Sequence, residues 1–388
     1  MKNSRIINLL TPYSTLLILG IPMLILALFV SLFAGSLLVR IVTVLFVSMI
    51  VVLGMQVFMG NSGILAWAHV GFMGIGAYVA SLCSMTPQMK EIAIPQVYPF
   101  LLNLHLPFWP SILVGTAVAM LVAALISYPL MRLSDAAAAI TSFALLIIIN
   151  AVLVHWDRVT NGPRTLFGIE EYTTLWISVI CAIFIMILAY FFKESSLGLR
   201  LRASREDYHA ASAVGINITR VRYLSFVVSA AIAGFGGGLW AHYITSFTPA
   251  AFYMLETFNV LAMLVVGGPF GVSGAVIGTF LVTFAREGVR AIENSINLNH
   301  VFPFEVVGLT EVFLAVVLII SLILRPQGML GGVELRWKLR GRAEKMVGKA
   351  IPAPASDENV ELAESSPTGA TFASPTEDSE RQRSKDRT

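Results

Sequence analysis

The sequence predicts an all-α polytopic membrane protein, with about ten transmembrane helices and one further helix standing in the cytoplasm. Three observations carry that prediction. First, 56% of the 388 residues are hydrophobic and 13% charged, where a soluble domain has about 45–50% and about 25%. Second, the mean hydropathy is +0.79, and the apolar residues gather in runs close to the ~20 that one spanning helix needs. Third, the bases are shared unequally between alternate loops. A water-soluble globule is excluded.

The runs fall at residues 16–33, 38–59, 64–84, 111–131, 136–155, 174–192, 223–244, 254–266, 272–285 and 304–324. Ten crossings are counted; the short eighth and ninth runs and the glycine-rich third set a range of eight to eleven, and broken or re-entrant helices are expected there. The first run follows Lys2 and Arg5, exceeds a signal-peptide core and leads almost directly into the second, so it reads as an uncleaved helix. With residues 1–13 inside, 16 bases fall on the inner side, six of them in the loop 193–222 and seven between 325 and 349, against 6 outside. That is the sign the positive-inside rule requires, and it puts both termini in the cytoplasm. The membrane domain thus covers 14–332, followed by a basic segment, 333–349. Beyond it, 350–388 holds 8 acids and 4 bases among Pro, Ser and Thr; such a composition buries too little apolar surface to order itself, and a disordered cytoplasmic tail is expected. Five prolines between 86 and 110 mark the longest outward loop, which has room for a short surface helix.

Motifs of chemistry are missing. There is no His-Glu-x-x-His, Cys-x-x-Cys or Gly-x-Ser-x-Gly, and no phosphate-binding Gly-x-x-x-x-Gly-Lys-Ser/Thr, so neither a metal, a cofactor nor ATP is expected on this chain. The positive excess is too small and scattered for a nucleic-acid footprint. Cys83 and Cys181 lie in apolar runs and read as unpaired; His69 and His242 read as packed, hydrogen-bonding residues. The glycines from 234 to 238 sit in an apolar helix with Ala230, Gly234, Gly238 and Ala241 near helical spacing, a small-residue face for close packing in lipid. Gly71, Gly74 and Ala77 suggest the same for the third run. Glu256 and Glu305 stand at helix starts, where negative charge is favoured. Glu311 lies deeper, either paired within the bundle or lining a polar path.

The informative segment is the inner loop. Ser204 followed by Asp207 reads as a capping box, 205–214 as a short helix and Gly215 as its stop. Ala210, Ala211 and Ala213 give this helix a narrow side open to a partner's groove, and Arg202, Arg205, Glu206 and Asp207 offer charge-assisted contacts at its entry.

This loop resembles the coupling loop in the membrane subunits of ATP-binding-cassette importers, whose core is Glu-Ala-Ala-x-x-x-Gly. His209, Ala210, Ala211 and Gly215 keep the alanines and the glycine and replace the glutamate. More specifically, the chain resembles the permeases of the branched-chain amino acid uptake family. The likeness rests on Gly71-Phe72-Met73-Gly74-Ile75-Gly76-Ala77-Tyr78, on Thr160-Asn161-Gly162-Pro163 after Trp156, and on Ser204-Arg205-Glu206-Asp207 leading to Gly215-Ile216-Asn217. It continues through Ser229-Ala230-Ala231-Ile232-Ala233-Gly234, Val266-Gly267-Gly268 with Gly271 and Gly278, and Arg325-Pro326-Gln327-Gly328. One segment departs: where the family commonly has Gly-Gln-x-Ser-Leu-Gly, this chain reads Gly63-Ile64-Leu65-Ala66-Trp67-Ala68-His69, with a serine position made apolar and a tryptophan added.

The resemblance implies a permease subunit of an importer in the bacterial cytoplasmic membrane. It implies a second, related permease, two ATP-binding subunits that hydrolyse the ATP, and an extracytoplasmic substrate-binding protein as partners. Arg205, Glu206, Asp207, His209, Ala210, Ala211 and Gly215 become the expected ATPase-coupling residues. The cargo is a branched-chain amino acid or, given the altered segment, another small polar, amide or carboxylate solute, since members of the family also carry urea, short amides and aromatic acids. Trp67, His69, Phe72, Thr141, Asn150 and Glu311 are the expected route, apolar walls with a few hydrogen-bonding groups. Trp67 and Phe72 either stack on the cargo or face lipid and neighbouring helices. Two other classes remain open: a passive channel for a small polar solute such as urea, which needs no docking helix, and a secondary transporter.

Overall fold

Each apolar run becomes a helix. The computed structural model describes residues 14–299, 308–324 and 328–331. Segments 1–13, 333–349 and 350–388, Glu305 with the start of the tenth run, and residues 325–327 lie outside the described residues. The elements are α1 (Ser14–Phe33), α2 (Ser36–Met55, running on through a π-helical turn, Gln56–Gly60), α3 (His69–Ser84), α4 (Phe108–Leu130), α5 (Asp135–His155) and α6 (Leu175–Glu194). Then come two short helices, α7 (Ser196–Glu206) and α8 (Tyr208–Ala213), followed by α9 (Ile218–Ile244), a 3-10 turn (Pro249–Phe252), α10 (Met254–Gly267), α11 (Val272–Leu298) and α12 (Leu309–Leu324). Eight stretches are long and apolar enough to cross a membrane, and α3 and α12 are shorter apolar helices. That makes ten apolar helices among the described residues, in keeping with about ten spans. Among the described residues the β content is one isolated bridge, Leu166 with Phe247.

Local chemistry sets several helix starts. Thr174, Ser195, Asp207 and Asn217 each accept a backbone N–H three residues on through their side chains, and such a cap is worth about 1 kcal/mol. Three of these four bracket the loop between α6 and α9. The third run opens differently: helix begins only at His69, because Gly63 takes φ +75 and breaks the chain. The broken stretch keeps its polar groups paired, Ile64 N–H with the Ser62 hydroxyl at 3.2 Å and Trp67 N–H with the Ser142 hydroxyl at 3.2 Å, as backbone at membrane depth must.

The loops sort into two ends. At one, Arg205 reaches the Gly60 carbonyl at 2.8 Å and lies over the Phe270 ring, so α7, the end of α2 and the α10–α11 turn share a side. At the other, Leu166 pairs with Phe247, Tyr172 N–H meets the His242 carbonyl, and the Ser84 hydroxyl meets His242 Nε2 at 2.8 Å. The outward loop there holds two short helices, Pro87–Ala93 and Pro99–Leu102, each begun by proline. Lys90 pins them together: it is fully buried and donates to the carbonyls of Leu101 and Leu104. Burial holds its ammonium below the usual lysine pKa.

The centre is glycine packed on backbone. A Cβ at Gly76 would stand 2.1 Å from the Gly234 carbonyl oxygen, one at Gly237 1.9 Å from that of Met73, and one at Gly115 2.7 Å from that of Gly76, so α3, α4 and α9 touch backbone to backbone. Gly267, Gly274 and Gly278 bring α10 and α11 together in the same way. The predicted small-residue face of α9 is buried, with Gly234 against Ala119 and Gly238 against Ala80 and Ile112. The third run also packs closely where expected, Gly71 on Ile149 and Gly74 on Leu153 of α5 and on Phe252, while its backbone contact falls at Gly76. Two residues past Gly74 is about 200° around a helix, the opposite face.

Two boundaries also differ from expectation. The ninth helix runs to Leu298 rather than 285, its polar end carrying an i,i+3 pair of Arg290 with Glu287 at 3.9 Å. The single inner helix at 205–214 is in fact the pair α7 and α8. Residue 204 is already helical, so Ser204 donates back to the Leu201 carbonyl at 2.7 Å instead of capping. The cap is Asp207, whose extended backbone, φ −150 and ψ 111, separates the two helices. Cys83 and Cys181 are both free and buried, as read.

Candidate functional site

The first surface is the α7–α8 pair. Asp207 Oδ1 accepts from Ala210 N–H at 2.9 Å to start α8. At its end Gly215, with φ +85, donates to the Ser212 carbonyl while Ile216 N–H reaches the Ala211 carbonyl. That 5→2 and 6→1 pattern is a Schellman stop, and its left-handed residue favours glycine. One and a half turns of helix are therefore fixed at both ends, with Tyr208 half exposed and His209, Ala210, Ala213 and Val214 exposed. Nothing lies within 4 Å of where a Gly215 side chain would begin. Concavities of about 590 Å³, beside Arg205 and Phe270, and about 470 Å³, beside Val214 and Gly215, flank the pair.

Not every residue expected to couple stands outward. Glu206 and His209 are exposed, as are Ala210 and Gly215, but Ala211 is 4% exposed and packs inward. Arg205 also turns inward, to Gly60 and Phe270, with its alkyl chain against Gly63. Asp207 is occupied as the cap. Arg202 bonds the Lys193 carbonyl at 2.9 Å, leaving α8 itself as the outward feature. Sequence reasoning missed Arg222 and Asp135, which meet beneath Tyr208; residues 87 apart give no local signal beyond charges flanking two spans.

The second surface gathers part of the expected route. Trp67 is half-buried, its ring edge-on to Phe143 and Phe258 with centroids 5.6 Å from each. Phe258 in turn lines a cavity of about 320 Å³ between α10 and α12, together with Leu255, Asn259, Ala262 and Glu311. Asn259 donates to Glu256 at 3.1 Å, a three-residue helical spacing visible in the sequence. Glu311 is exposed at the start of α12. Asn150 donates to the Pro249 carbonyl at 3.2 Å and Thr141 back to Ala137 at 2.7 Å, so both hydroxyl and amide serve the backbone. His69 and Phe72 stand elsewhere, fully buried with Phe58 and Phe226. His69 pairs with Ser229, which donates to the Gly54 carbonyl at 2.7 Å, tying α3, α9 and α2. These two belong to the core. Among the described residues no three His, Cys, Asp or Glu side chains cluster to hold a metal.

Ten apolar helices, glycine-on-backbone packing and a capped helix pair at one end define a multi-pass helical membrane protein. Residues 37–322 match the family described as branched-chain amino acid transport system / permease component, and the chain belongs to that family. It is similar to the high-affinity branched-chain amino acid transport system permease protein LivM of Escherichia coli K12, 26% identical over 79% of this chain and 73% of that one. It is also similar to the permease protein LivH of the same strain, 30% identical over 42% and 47%. The probable LivM of Methanocaldococcus jannaschii is 25% identical over 57% and 67%. No solved structure matches. The chain is thus a permease component, and the resemblance stated from its motifs holds.

Proposed function

We propose that this permease works as one transmembrane half of an ATP-binding-cassette importer in the bacterial cytoplasmic membrane, with α7 and α8 facing the cytoplasm. A second, related permease completes the route, two ATP-binding subunits dock on α8, and an extracytoplasmic binding protein delivers the cargo. The chain performs no chemistry of its own and holds no cofactor; ATP is bound and hydrolysed on the partners. The cargo is a branched-chain amino acid or a related small amide or carboxylate solute. One observation carries the reading: a helix too short to be stable alone is capped at its start, stopped by a Schellman glycine at its end, and left uncovered. A passive channel has no use for such a feature.

The test is steric. Ala210→Trp adds bulk on the exposed face without backbone strain, and Gly215→Trp adds it at a position where φ +85 also penalises any side chain. Both variants should leave the membrane fold intact and cut ATP-driven uptake of radiolabelled leucine by about tenfold or more, the loss of about 1.4 kcal/mol of coupling. Normal uptake by both, with the ATPases present, defeats the docking reading.

A further inference from the structure

Arg222 sits in the second turn of α9 with 2% of its surface exposed. A guanidinium stays charged at any working pH and loses its hydration when buried, a penalty of several kcal/mol that a single partner offsets incompletely. Its Nη2 stands 2.7 Å from Asp135 Oδ1, an ionic contact without hydrogen-bond alignment, and its Nε has no partner. The guanidinium carbon lies 5.8 Å from the centre of the Tyr208 ring. Buried ion pairs of this kind add little net stability, so the arginine is accounted for by what it joins. Tyr208 is the first residue of the exposed helix α8, and Asp135 is the first residue of α5.

The span α5 is held to the rest of the chain at few polar points. Its Ser142 accepts the Trp67 N–H, and its Asn150 bonds the Pro249 carbonyl; the partners lie in the broken stretch before α3 and in the 3-10 turn before α10. Ile140, Ile148 and Val152 leave much of its remaining surface open. Asp135 is 66% exposed, so water can replace Arg222 on the carboxylate, which suits a contact that breaks and re-forms. The position of α5 bears directly on Trp67, two turns along from Asp135.

We propose that Tyr208, Arg222 and Asp135 form a mechanical link through which movement of α8 repositions α5 and with it the Trp67 segment. Arg222 is a positioning residue of the transport cycle. The inference rests on α8 being the ATPase-docking helix.

The experiment uses the assembled importer in proteoliposomes, with leucine imported per ATP hydrolysed as the readout. Asp135→Asn and Arg222→Gln should assemble and hydrolyse ATP yet import about tenfold less leucine per ATP, in line with the coupling energies of residues in direct contact. The exchanged pair, Asp135→Arg with Arg222→Asp, should recover most of the ratio. Nitroxides at Ser212→Cys in α8 and Ala136→Cys in α5, both exposed sites, report the motion: ATP should change their separation, and Asp135→Asn should abolish that change. An unaltered import ratio in both single variants refutes the link while leaving the docking reading standing. Loss of assembly that the exchanged pair does not restore makes the contact purely structural and also refutes it. ATPases that bind the wild-type complex without protecting 196–215 from proteolysis overturn the docking reading, and the link falls with it.

Discussion

Trp67 and His69 are two residues apart and occupy different surroundings. The tryptophan is half-buried between Phe143 and Phe258, the second of which lines the cavity shared with Asn259 and Glu311, and its large flat face suits a weak, passable contact. The histidine is enclosed with Phe58, Phe72 and Phe226 and holds Ser229. Trp67→Ala should therefore change the ranking of large against small solutes in competition with radiolabelled leucine. His69→Ala should depress all uptake in parallel by lowering the amount of folded protein, since deleting a fully buried ring leaves a cavity that costs about 2–5 kcal/mol. An unchanged ranking in Trp67→Ala removes that ring from the route. The sequence made Trp67 conspicuous by placing it where the family has a polar pattern. It was silent about Phe258, because contact across 191 residues follows from tertiary packing that no local spacing encodes.

Helices were legible because lipid imposes one requirement on every crossing, enough apolar residues in a row with all backbone groups paired internally. The faces they present were legible only where the pattern was unambiguous. The stripe Ala230, Gly234, Gly238 and Ala241 reads correctly, and so does the close packing at Gly71 and Gly74, while the backbone contact at Gly76 went unread, since three glycines within one helix leave more than one small face. The inner loop failed for another reason: Ser204 and Asp207 fit a capping box by spacing, but α7 had already begun at Ser196, capped by Ser195. Backbone proximity yields a sharp test. Gly237→Ala would set a methyl group 1.9 Å from the Met73 carbonyl oxygen, and a carbonyl in a packed helix cannot retreat far; a destabilisation of about 1–3 kcal/mol is expected. Gly288, also helical, has nothing within 4 Å, so Gly288→Ala should be neutral or stabilising by up to about 1 kcal/mol. Thermal unfolding of the detergent-solubilised chain by size-exclusion profile compares them. Equal melting of the two variants would contradict backbone contact between α3 and α9.

At the scale of the whole molecule the question is which end faces the cytoplasm. The helices alternate so that 61–68, 131–134, 195–217 and 268–271 share one end, while 85–107, 156–174 and 245–253 share the other. Within the described residues the bases divide almost evenly, seven at the α7–α8 end and six at the other. The orientation therefore rests on where the bases lie. Six of the seven stand in the single loop 193–222, whereas one of the opposite six, Lys90, is buried and spent on carbonyls. Nine further bases, Lys2, Arg5 and those from Arg325 to Lys349, flank the outermost spans, most of them within the distance over which positive charge resists translocation. Both groups favour the α7–α8 end as cytoplasmic. Single cysteines at exposed positions check this cleanly, because native Cys83 and Cys181 are buried. In intact, right-side-out vesicles a membrane-impermeant maleimide should label Glu171→Cys and spare Ala210→Cys; inverted vesicles should reverse the pattern. Labelling of Ala210→Cys from outside would turn the molecule over, and would take the docking reading of α8 with it, since ATP is available on one side of the membrane only.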